Sequence, residues 1–372
     1  MEVSIQPKST SGLYDTPLLH QSAFWSAVKK KQGITCEAYD IKVRPQELGL
    51  SNQSAYLLDD LLILIQPITK ESCLAYSPYG PFLTPSDEIA GPFLEELSEA
   101  LRPHLPEECI ALRWDLPWES PWALDADGFD ENGQWKGPPQ PELQELRLNW
   151  GTCEHNLRKA SGDILPTDTL LVTLRHDEDD ILASMKAKTR YNIRLAKRHG
   201  IVVKRGSFED LDVFYTLYRQ TCRRNRLNLH HRSYFETLFI TGCDDFELLI
   251  AYLDRQTPLA ALFITYSGDR ATYLYGASSS DHRNKMAPYL LQWEAIKHAK
   301  ENGCRQYDLF GTPPNKNPAH PMHGLYRFKS GFGGDELHRL GCWDYPFNHE
   351  EYEEYSKVEL LARGYHLNWN SP

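Results

Sequence analysis

A segment rich in lysine and arginine is the clearest chemical feature of this sequence. Residues 183–206 carry eight cations and no acidic residue, although the whole chain has a formal net charge of −11. At about 100° per residue, helical spacing places five of these cations on one stripe beside an apolar face: Lys186, Arg190, Arg194, Lys197 and Arg198. Because a row of like charges repels itself unless a polyanion compensates it, the pattern predicts phosphate binding. The alternative is a solvated helix face with acidic partners from elsewhere in the fold.

Several familiar catalytic and metal-binding patterns are absent from the sequence. It contains no GxxxxGK[ST] loop and no GxSxG motif, and its eight cysteines form no CxxC pair. The pairs His320–His323 and His230–His231 lack a third ligand in a recognisable frame. We therefore expect no metal site, no cofactor and reduced cysteines. Since neither an apolar run of ~18 residues nor a signal-peptide pattern is visible, we expect a cytoplasmic protein.

The first half of the chain mixes helix and strand patterns. Apolar spacing predicts helices over 18–31 and 87–102, and strands over 56–68, 73–83, 109–118 and 169–174. Residues 119–142 are rich in Pro, Gly, Asp and Glu, so we expect a long, poorly ordered loop or insertion there. This order of elements is typical of an α+β domain with a mixed sheet.

The second half also mixes helix and strand patterns in a similar order. It predicts helices over 178–199, 208–226, 231–239 and 288–302, and strands over 201–205, 246–253, 258–267, 270–278 and 305–311. Three antiparallel-looking strands, a helix and one more strand match the order of the GNAT acyltransferase fold. The shared pattern of the two halves suggests a duplicated fold, although no close internal sequence repeat is present.

Six fragments in the correct order resemble the Fem (FemABX) aminoacyltransferases. They are HQSAFWSAVKKKQG (20–33), AYSPYGPFL (75–83), DILPTDTLLVTL (163–174), MKAKTRYNIRLAKRHGIVVKRG (185–206), YDLFGTPP (307–314) and HGLYRFKSGFGG (323–334). The resemblance implies two GNAT-like domains with mixed β-sheets, the first over residues 1–168 and completed by 340–372, and the second over 169–339. It departs from some members of the family, because 206–245 has no room for their long helical arm.

The resemblance also implies a reaction. Fem enzymes use aminoacyl-tRNA to add amino acids to the stem peptide of a peptidoglycan precursor, which is either nucleotide-linked or lipid-linked. A protein of this kind is expected to be a monomer that can meet a lipid-linked acceptor at the inner face of the cytoplasmic membrane. The ester of aminoacyl-tRNA is already activated, so no ATP site is needed.

Candidate site residues follow from matching the motifs. Lys329 matches the position thought to stabilise the oxyanion of the tetrahedral intermediate, and the flanking Phe328 would make its setting drier. The expected acceptor-binding residues are Trp25, Lys29, Tyr76, Thr221, Arg223, Arg224, Tyr273 and Tyr275. By strand alternation, Tyr273 and Tyr275 should face the same side. Asp308 is a candidate general base, and a structural capping aspartate is the alternative.

The donor can be judged from one further segment. The GNAT loop for acetyl-CoA has glycines whose N–H groups hold pyrophosphate, whereas RNKMAP (283–288) has Met286 and Pro288 in their place. This loop favours a tRNA donor. Two alternatives remain: an N-acyltransferase with an acyl-CoA or acyl-carrier donor, and a non-catalytic RNA-binding protein.

Overall fold

The computed structural model describes residues 1–51, 54–131, 133–242, 245–313 and 317–368. Cys243, and Pro314 at the end of the YDLFGTPP fragment, lie outside these ranges. The strands are β1 Val3–Lys8, β2 Thr35–Val43, β3 Leu57–Pro67, β4 Cys73–Ser77, β5 Cys109–Glu119, β6 Arg158–Lys159, β7 Asp168–Thr173, β8 Ile201–Gly206, β9 Phe246–Leu253, β10 Thr257–Ser267, β11 Arg270–Ser278, β12 Gln306–Asp308 and β13 Asp335–Pro346. The α-helices are α1 Ala23–Lys31, α2 Ala90–Leu101, α3 Pro121–Leu124, α4 Pro141–Leu148, α5 Glu178–Ser184, α6 Ala187–Arg198, α7 Leu211–Asn225, α8 Arg232–Thr241, α9 Ala287–Glu301, α10 His323–Lys329 and α11 His349–Asn368.

The chain divides into two compact units. The first contains Met1–Tyr14, His20–Thr167 and the residues from His338 onward, so the C-terminal segment returns to it. The second contains Asp15–Leu19 and Asp168–Leu337. The short segment 15–19 is fixed to the second unit by a hydrogen bond of 2.7 Å from the Ser267 hydroxyl to the Thr16 carbonyl.

The sheets of the two units have equivalent topologies. In the first unit the strand order is β1-β2-β3-β4-β5-β13, and only β4 and β5 are parallel neighbours among these six. In the second the order is β8-β9-β10-β11-β12-β7, and only β11 and β12 are parallel. In each unit the sixth strand comes from outside the run of the other five along the chain. The fold is therefore α+β with two GNAT-like halves.

Helices cover both faces of each sheet, which explains the apolar strand sequences. In β3, Leu62 and Leu64 pack with Trp25 of α1, whereas Ile63 and Ile65 pack into the cluster that contains α2. A strand that is buried on both faces reads as a continuous apolar run rather than an alternating one.

Two sequence expectations about local structure are wrong. The basic segment is not one helix, because α5 ends at Ser184 and α6 begins at Ala187. Between them Met185 has an extended backbone, and the Lys186 N–H donates to the Gly331 carbonyl at 2.9 Å instead of continuing the helix. In addition, β4 and β12 end earlier than expected, at Ser77 and Asp308.

The acidic insertion 119–142 has more structure than expected. It contains α3 and a β-bridge between Phe129 and Trp135. Trp135 is buried and stacks on His338 with ring centroids 3.9 Å apart. This aromatic contact holds the insertion against the rest of the first unit.

Candidate active site

A buried lysine lies at the centre of the candidate site in the second unit. Lys329 ends α10, and its side chain is only 5% exposed. The ammonium donates to the carbonyls of Gly311, at 2.8 Å, and of Phe310. It also lies 5.4 Å from the centroid of the Tyr273 ring. Two carbonyls and an aromatic face are a setting that holds a cation in place.

Burial lowers the pKa of Lys329 to about 7, although the nearby Asp308 carboxylate raises it in part. At neutral pH the group is thus divided between ammonium and amine. A lysine with this pKa can present a positive charge to an oxyanion and can exchange a proton near physiological pH.

Diverging strands create the place that Lys329 occupies. The parallel pairing of β11 and β12 covers only residues 270–272 and 306–308. Beyond it β11 continues to Ser278, whereas β12 ends at Asp308. Lys329 touches Tyr273 on the first strand and the two carbonyls that follow the second, so its ammonium lies where the strands separate.

Asp308 is held by the fold. Its buried carboxylate accepts hydrogen bonds from the Thr169 hydroxyl and, at 2.8 Å, from the Phe310 N–H. These contacts fix the turn that supplies the carbonyls for Lys329. They favour the capping alternative, and the role of Asp308 as general base stays a prediction.

Phe328 contributes to the apolar surroundings of the site. Its ring lies 5.1 Å from that of Tyr289 and 5.2 Å from that of Phe332, both edge to face. This aromatic group packs on the main core of the second unit. Low polarity on this side strengthens the electrostatic effect of the neighbouring ammonium.

Tyr273 and Tyr275 do not face the same side of β11, contrary to the expectation from alternation. Tyr275 pairs with Phe263 and Tyr273 pairs with the adjacent Ile264, so a β-bulge lies between them. Tyr273 packs on the core cluster beside Lys329. Tyr275 instead bonds to the Tyr234 hydroxyl at 3.0 Å, in an aromatic group on the α7–α8 face.

The three candidates on α7, Thr221, Arg223 and Arg224, differ in their contacts. The Thr221 hydroxyl accepts from the Ser278 N–H at 2.8 Å, and Arg224 donates to the Ser278 carbonyl at 3.0 Å. Both side chains therefore tie α7 to the end of β11. Arg223 is exposed. Substrate binding by these three residues stays a prediction.

The five cations of the predicted stripe also differ in their contacts. Lys186 donates to the Ser330 hydroxyl at 2.9 Å, and Arg190 donates to the carbonyls of Ala183 and Met185. These two stabilise the break between α5 and α6. The three that remain exposed on α6 are Arg194, Lys197 and Arg198.

The first unit brings the three N-terminal candidates to one face of its sheet. Trp25 and Tyr76 belong to one buried cluster, and the Lys29 ammonium lies 4.8 Å from the centroid of the Trp25 ring. Burial lowers the pKa of Lys29. The Tyr76 hydroxyl donates to the buried Asp115 carboxylate at 2.9 Å, and burial raises the pKa of Asp115 to about 6.

A match to a family model covers most of the chain. The model of the FemAB family matches residues 14–257 and 254–359. The chain belongs to the FemAB family. This confirms the resemblance that the six fragments carry.

Curated relatives of this FemAB-family protein are named glycyltransferases. A "Lipid II:glycine glycyltransferase" from Staphylococcus epidermidis is 24% identical over 58% of this chain and 67% of its own length. The protein of the same name from Staphylococcus aureus is 23% identical over 53% of this chain and 62% of its own length. The matches span roughly two thirds of these relatives.

The fold is also similar to that of a solved structure. A crystal structure of FemX superposes with a TM-score of 0.69 and 20% identity, covering 93% of this chain and 96% of that one. At this level of identity the likeness concerns the fold, and it confirms the predicted fold class.

Three residues around Trp25 were not predicted. His20 is buried edge-on to Trp25 and Tyr79, with ring centroids 4.6 and 5.2 Å away, and burial lowers its pKa to about 3. The buried Arg339 guanidinium lies 4.7 Å from the centroid of the Tyr79 ring. His20 and Tyr79 lie inside the matched fragments, so the family resemblance could have identified them as candidates. Arg339 follows the last fragment, and no motif in the sequence indicates it.

The described residues provide neither a metal-binding cluster nor a membrane-spanning helix. Among the described residues, no group of three or more His, Cys, Asp or Glu side chains is placed to hold a metal ion. No helix in the described ranges is long and apolar enough to cross a membrane.

Proposed function

We propose that this FemAB-family protein transfers an amino acid from aminoacyl-tRNA to the stem-peptide amine of a peptidoglycan precursor. The amine attacks the ester carbonyl, and the tetrahedral intermediate collapses to a peptide bond. The ribose hydroxyl of the tRNA is released with the proton that the amine loses. Membership of the family and the names of the glycyltransferase relatives support this reaction class.

The buried ammonium of Lys329 is the observation that carries the proposal. It lies between diverging strands, where two carbonyls and Tyr273 orient it. The proposed role is to stabilise the oxyanion of the intermediate, with Phe328 limiting the access of water. Removal of one such donor costs about 10²–10³ in rate in known acyl-transfer enzymes.

The proposed donor site is the exposed cation surface of α6. Within the described ranges, Arg194, Lys197 and Arg198 are exposed and make no hydrogen bonds like those that hold Lys186 and Arg190, so they are suited to tRNA phosphates. Met286, with φ of 57°, and Pro288 occupy the loop where a CoA site would present glycine N–H groups. Both observations favour RNA over acyl-CoA as donor.

Each unit contains proposed acceptor-binding residues. Trp25, Lys29 and Tyr76 of the first unit supply aromatic faces and a cation, and Tyr273 is the candidate in the second unit beside Lys329. We further propose a cytoplasmic monomer that contacts the membrane peripherally, with domains at 1–168 plus 340–372 and at 169–339.

A transfer assay tests the proposal. Bulk tRNA charged with radiolabelled amino acids is mixed with nucleotide-linked or lipid-linked muropeptide, and with wild type, Lys329→Met or Lys357→Met. We expect RNase-sensitive transfer by wild type, a loss of about 10²–10³-fold for Lys329→Met, and full activity for the exposed control Lys357→Met. Transfer from an acyl-CoA but from no charged tRNA would contradict the proposed donor.

A further inference from the structure

Two leucines project from the loop that joins α7 to α8. This loop, residues 226–231, exposes 54% of Leu227 and 47% of Leu229. Exposed apolar side chains that lie close together and are rimmed by polar residues are typical of protein or membrane interaction sites.

The loop is held from its inner side. The Leu227 N–H donates to the Cys222 carbonyl at 3.0 Å, and the Tyr215 hydroxyl donates to the His230 carbonyl at 3.3 Å. The His230 ring lies 4.9 Å from that of Tyr234. With the backbone fixed in this way, Leu227 and Leu229 are presented to solvent by a defined turn.

The surface beside the leucines is cationic. Residues 213–235 contain five arginines and no acidic residue. Arg219, Arg223 and Arg226 are exposed at the end of α7. Arg219 and Arg223 lie one turn apart on the helix, and Arg226 follows it as the C-cap with a left-handed backbone. Within the described ranges, none of these three forms an ion pair with a carboxylate.

The other two arginines are used internally. Arg224 donates to Ser278. Arg232 pairs with Asp212 at 2.6 Å and with Glu236, the two acids that flank the segment. The net charge that the α7–α8 end presents is therefore positive, although the whole chain carries −11.

We infer that the 226–231 loop and the exposed arginines at the end of α7 dock on an anionic lipid bilayer. Leucines enter the interfacial region of a bilayer while arginines pair with lipid phosphates. An RNA partner would use the arginines but has no apolar surface for Leu227 and Leu229, since proteins bind RNA bases mainly through stacking.

The biological purpose of membrane docking rests on the proposed function. A lipid-linked acceptor lies in the membrane, and a docked second unit would stay near it. Docking itself is independent of catalysis, so the two can fail separately.

Vesicle sedimentation tests the inference with the full-length protein. The probes are vesicles of phosphatidylglycerol and phosphatidylcholine, and vesicles of phosphatidylcholine alone, at low and high salt. The variants are Leu227→Ala with Leu229→Ala, and Arg219→Gln with Arg226→Gln. The matched control is Leu143→Ala with Leu146→Ala, two leucines of α4 that are at least as exposed (56% and 69%) and lie beside Glu142 and Glu145.

We expect salt-sensitive binding of wild type to anionic vesicles, about tenfold weaker binding for the Leu227/Leu229 variant, and wild-type binding for the control. The Arg219/Arg226 variant should lose the salt-sensitive part. Transfer to a soluble nucleotide-linked acceptor should be unchanged in all variants, and its absence from wild type would contradict the proposed function alone. Wild-type binding by the Leu227/Leu229 variant would overturn the inference. So would loss of tRNA binding without loss of vesicle binding in the arginine variant.

Discussion

The lowered pKa of Lys329 predicts how the rate of transfer should depend on pH. The group is protonated below about 7 and loses its proton above, because burial disfavours the ammonium more than the Asp308 carboxylate favours it. If the ammonium stabilises the oxyanion, its contribution falls as pH rises. The acceptor amine has the opposite dependence, since it must be neutral to attack.

We predict a bell-shaped profile of kcat/KM for wild type, with a descending limb that begins near pH 7. Lys329→Arg cannot titrate in this range, so any activity that it retains should lack the descending limb. Asp308→Asn removes a carboxylate that raises the lysine pKa and should move the limb to lower pH. A descending limb that stays in place in Lys329→Arg would assign the titration to another group.

At the scale of elements, much of the fold could be predicted from the sequence, for a physical reason. Apolar periodicity predicted β9 and β10 nearly to the residue, because each strand is bounded by polar turns. It also predicted the inward face of α6, where Thr189, Ile193 and Ala196 are buried.

Contacts between distant segments could not be predicted in this way. The break before α6 depends on a carbonyl at Gly331, which no local pattern reveals. The separation of Tyr273 from Tyr275 depends on how β11 pairs with β10, and alternation assumes regular pairing. Lys329 was identified by the family motif, but its burial and lowered pKa come from the tertiary structure.

The bulge in β11 also explains why position 276 is a glycine. A Cβ at Gly276 would lie 1.7 Å from the Tyr273 hydroxyl oxygen, so the ring can lie along the strand only because position 276 has no side chain. Any larger residue there must displace the ring that orients Lys329.

We predict that Gly276→Ala destabilises the protein by about 1–3 kcal/mol through overpacking and lowers transfer more than this loss of folded protein explains. In a Tyr273→Leu background the same substitution should cost much less, which a double-mutant cycle of urea unfolding would measure. Additive costs would mean that the ring moves aside freely and does not depend on Gly276.

At the scale of the whole molecule, the first unit depends on the end of the chain. β13 pairs with β5, and the buried Arg113 on β5 forms a bidentate pair with Asp344 on β13 at 2.6 and 2.7 Å. The same guanidinium donates to Glu359 of α11 at 2.7 and 2.9 Å. Burial opposes this charge, but the two carboxylates dominate and raise the pKa of Arg113.

One guanidinium therefore links β5 to two later elements, across 231 and 246 residues of sequence. Arg113 and Asp344 are each 1% exposed, so removal of the Asp344 charge leaves the buried guanidinium with one of its two carboxylate partners, Glu359, in a medium that solvates charge poorly. We predict that Asp344→Asn lowers the free energy of unfolding of the first unit by about 3 kcal/mol. Glu353→Gln, in an exposed pair with Lys357 at 3.7 Å, should cause no measurable change.

Because two units can unfold separately, hydrogen exchange should accompany the urea titration. The loss in Asp344→Asn is expected in the amides of β5 and β13, while those of β9 and β10 keep their protection. If exchange rose equally in both sets, the C-terminal segment would stabilise the whole chain rather than the unit it completes. If neither set changed, the buried pair would be replaceable by a neutral hydrogen bond, and pairing of β13 with β5 alone would retain the end of the chain.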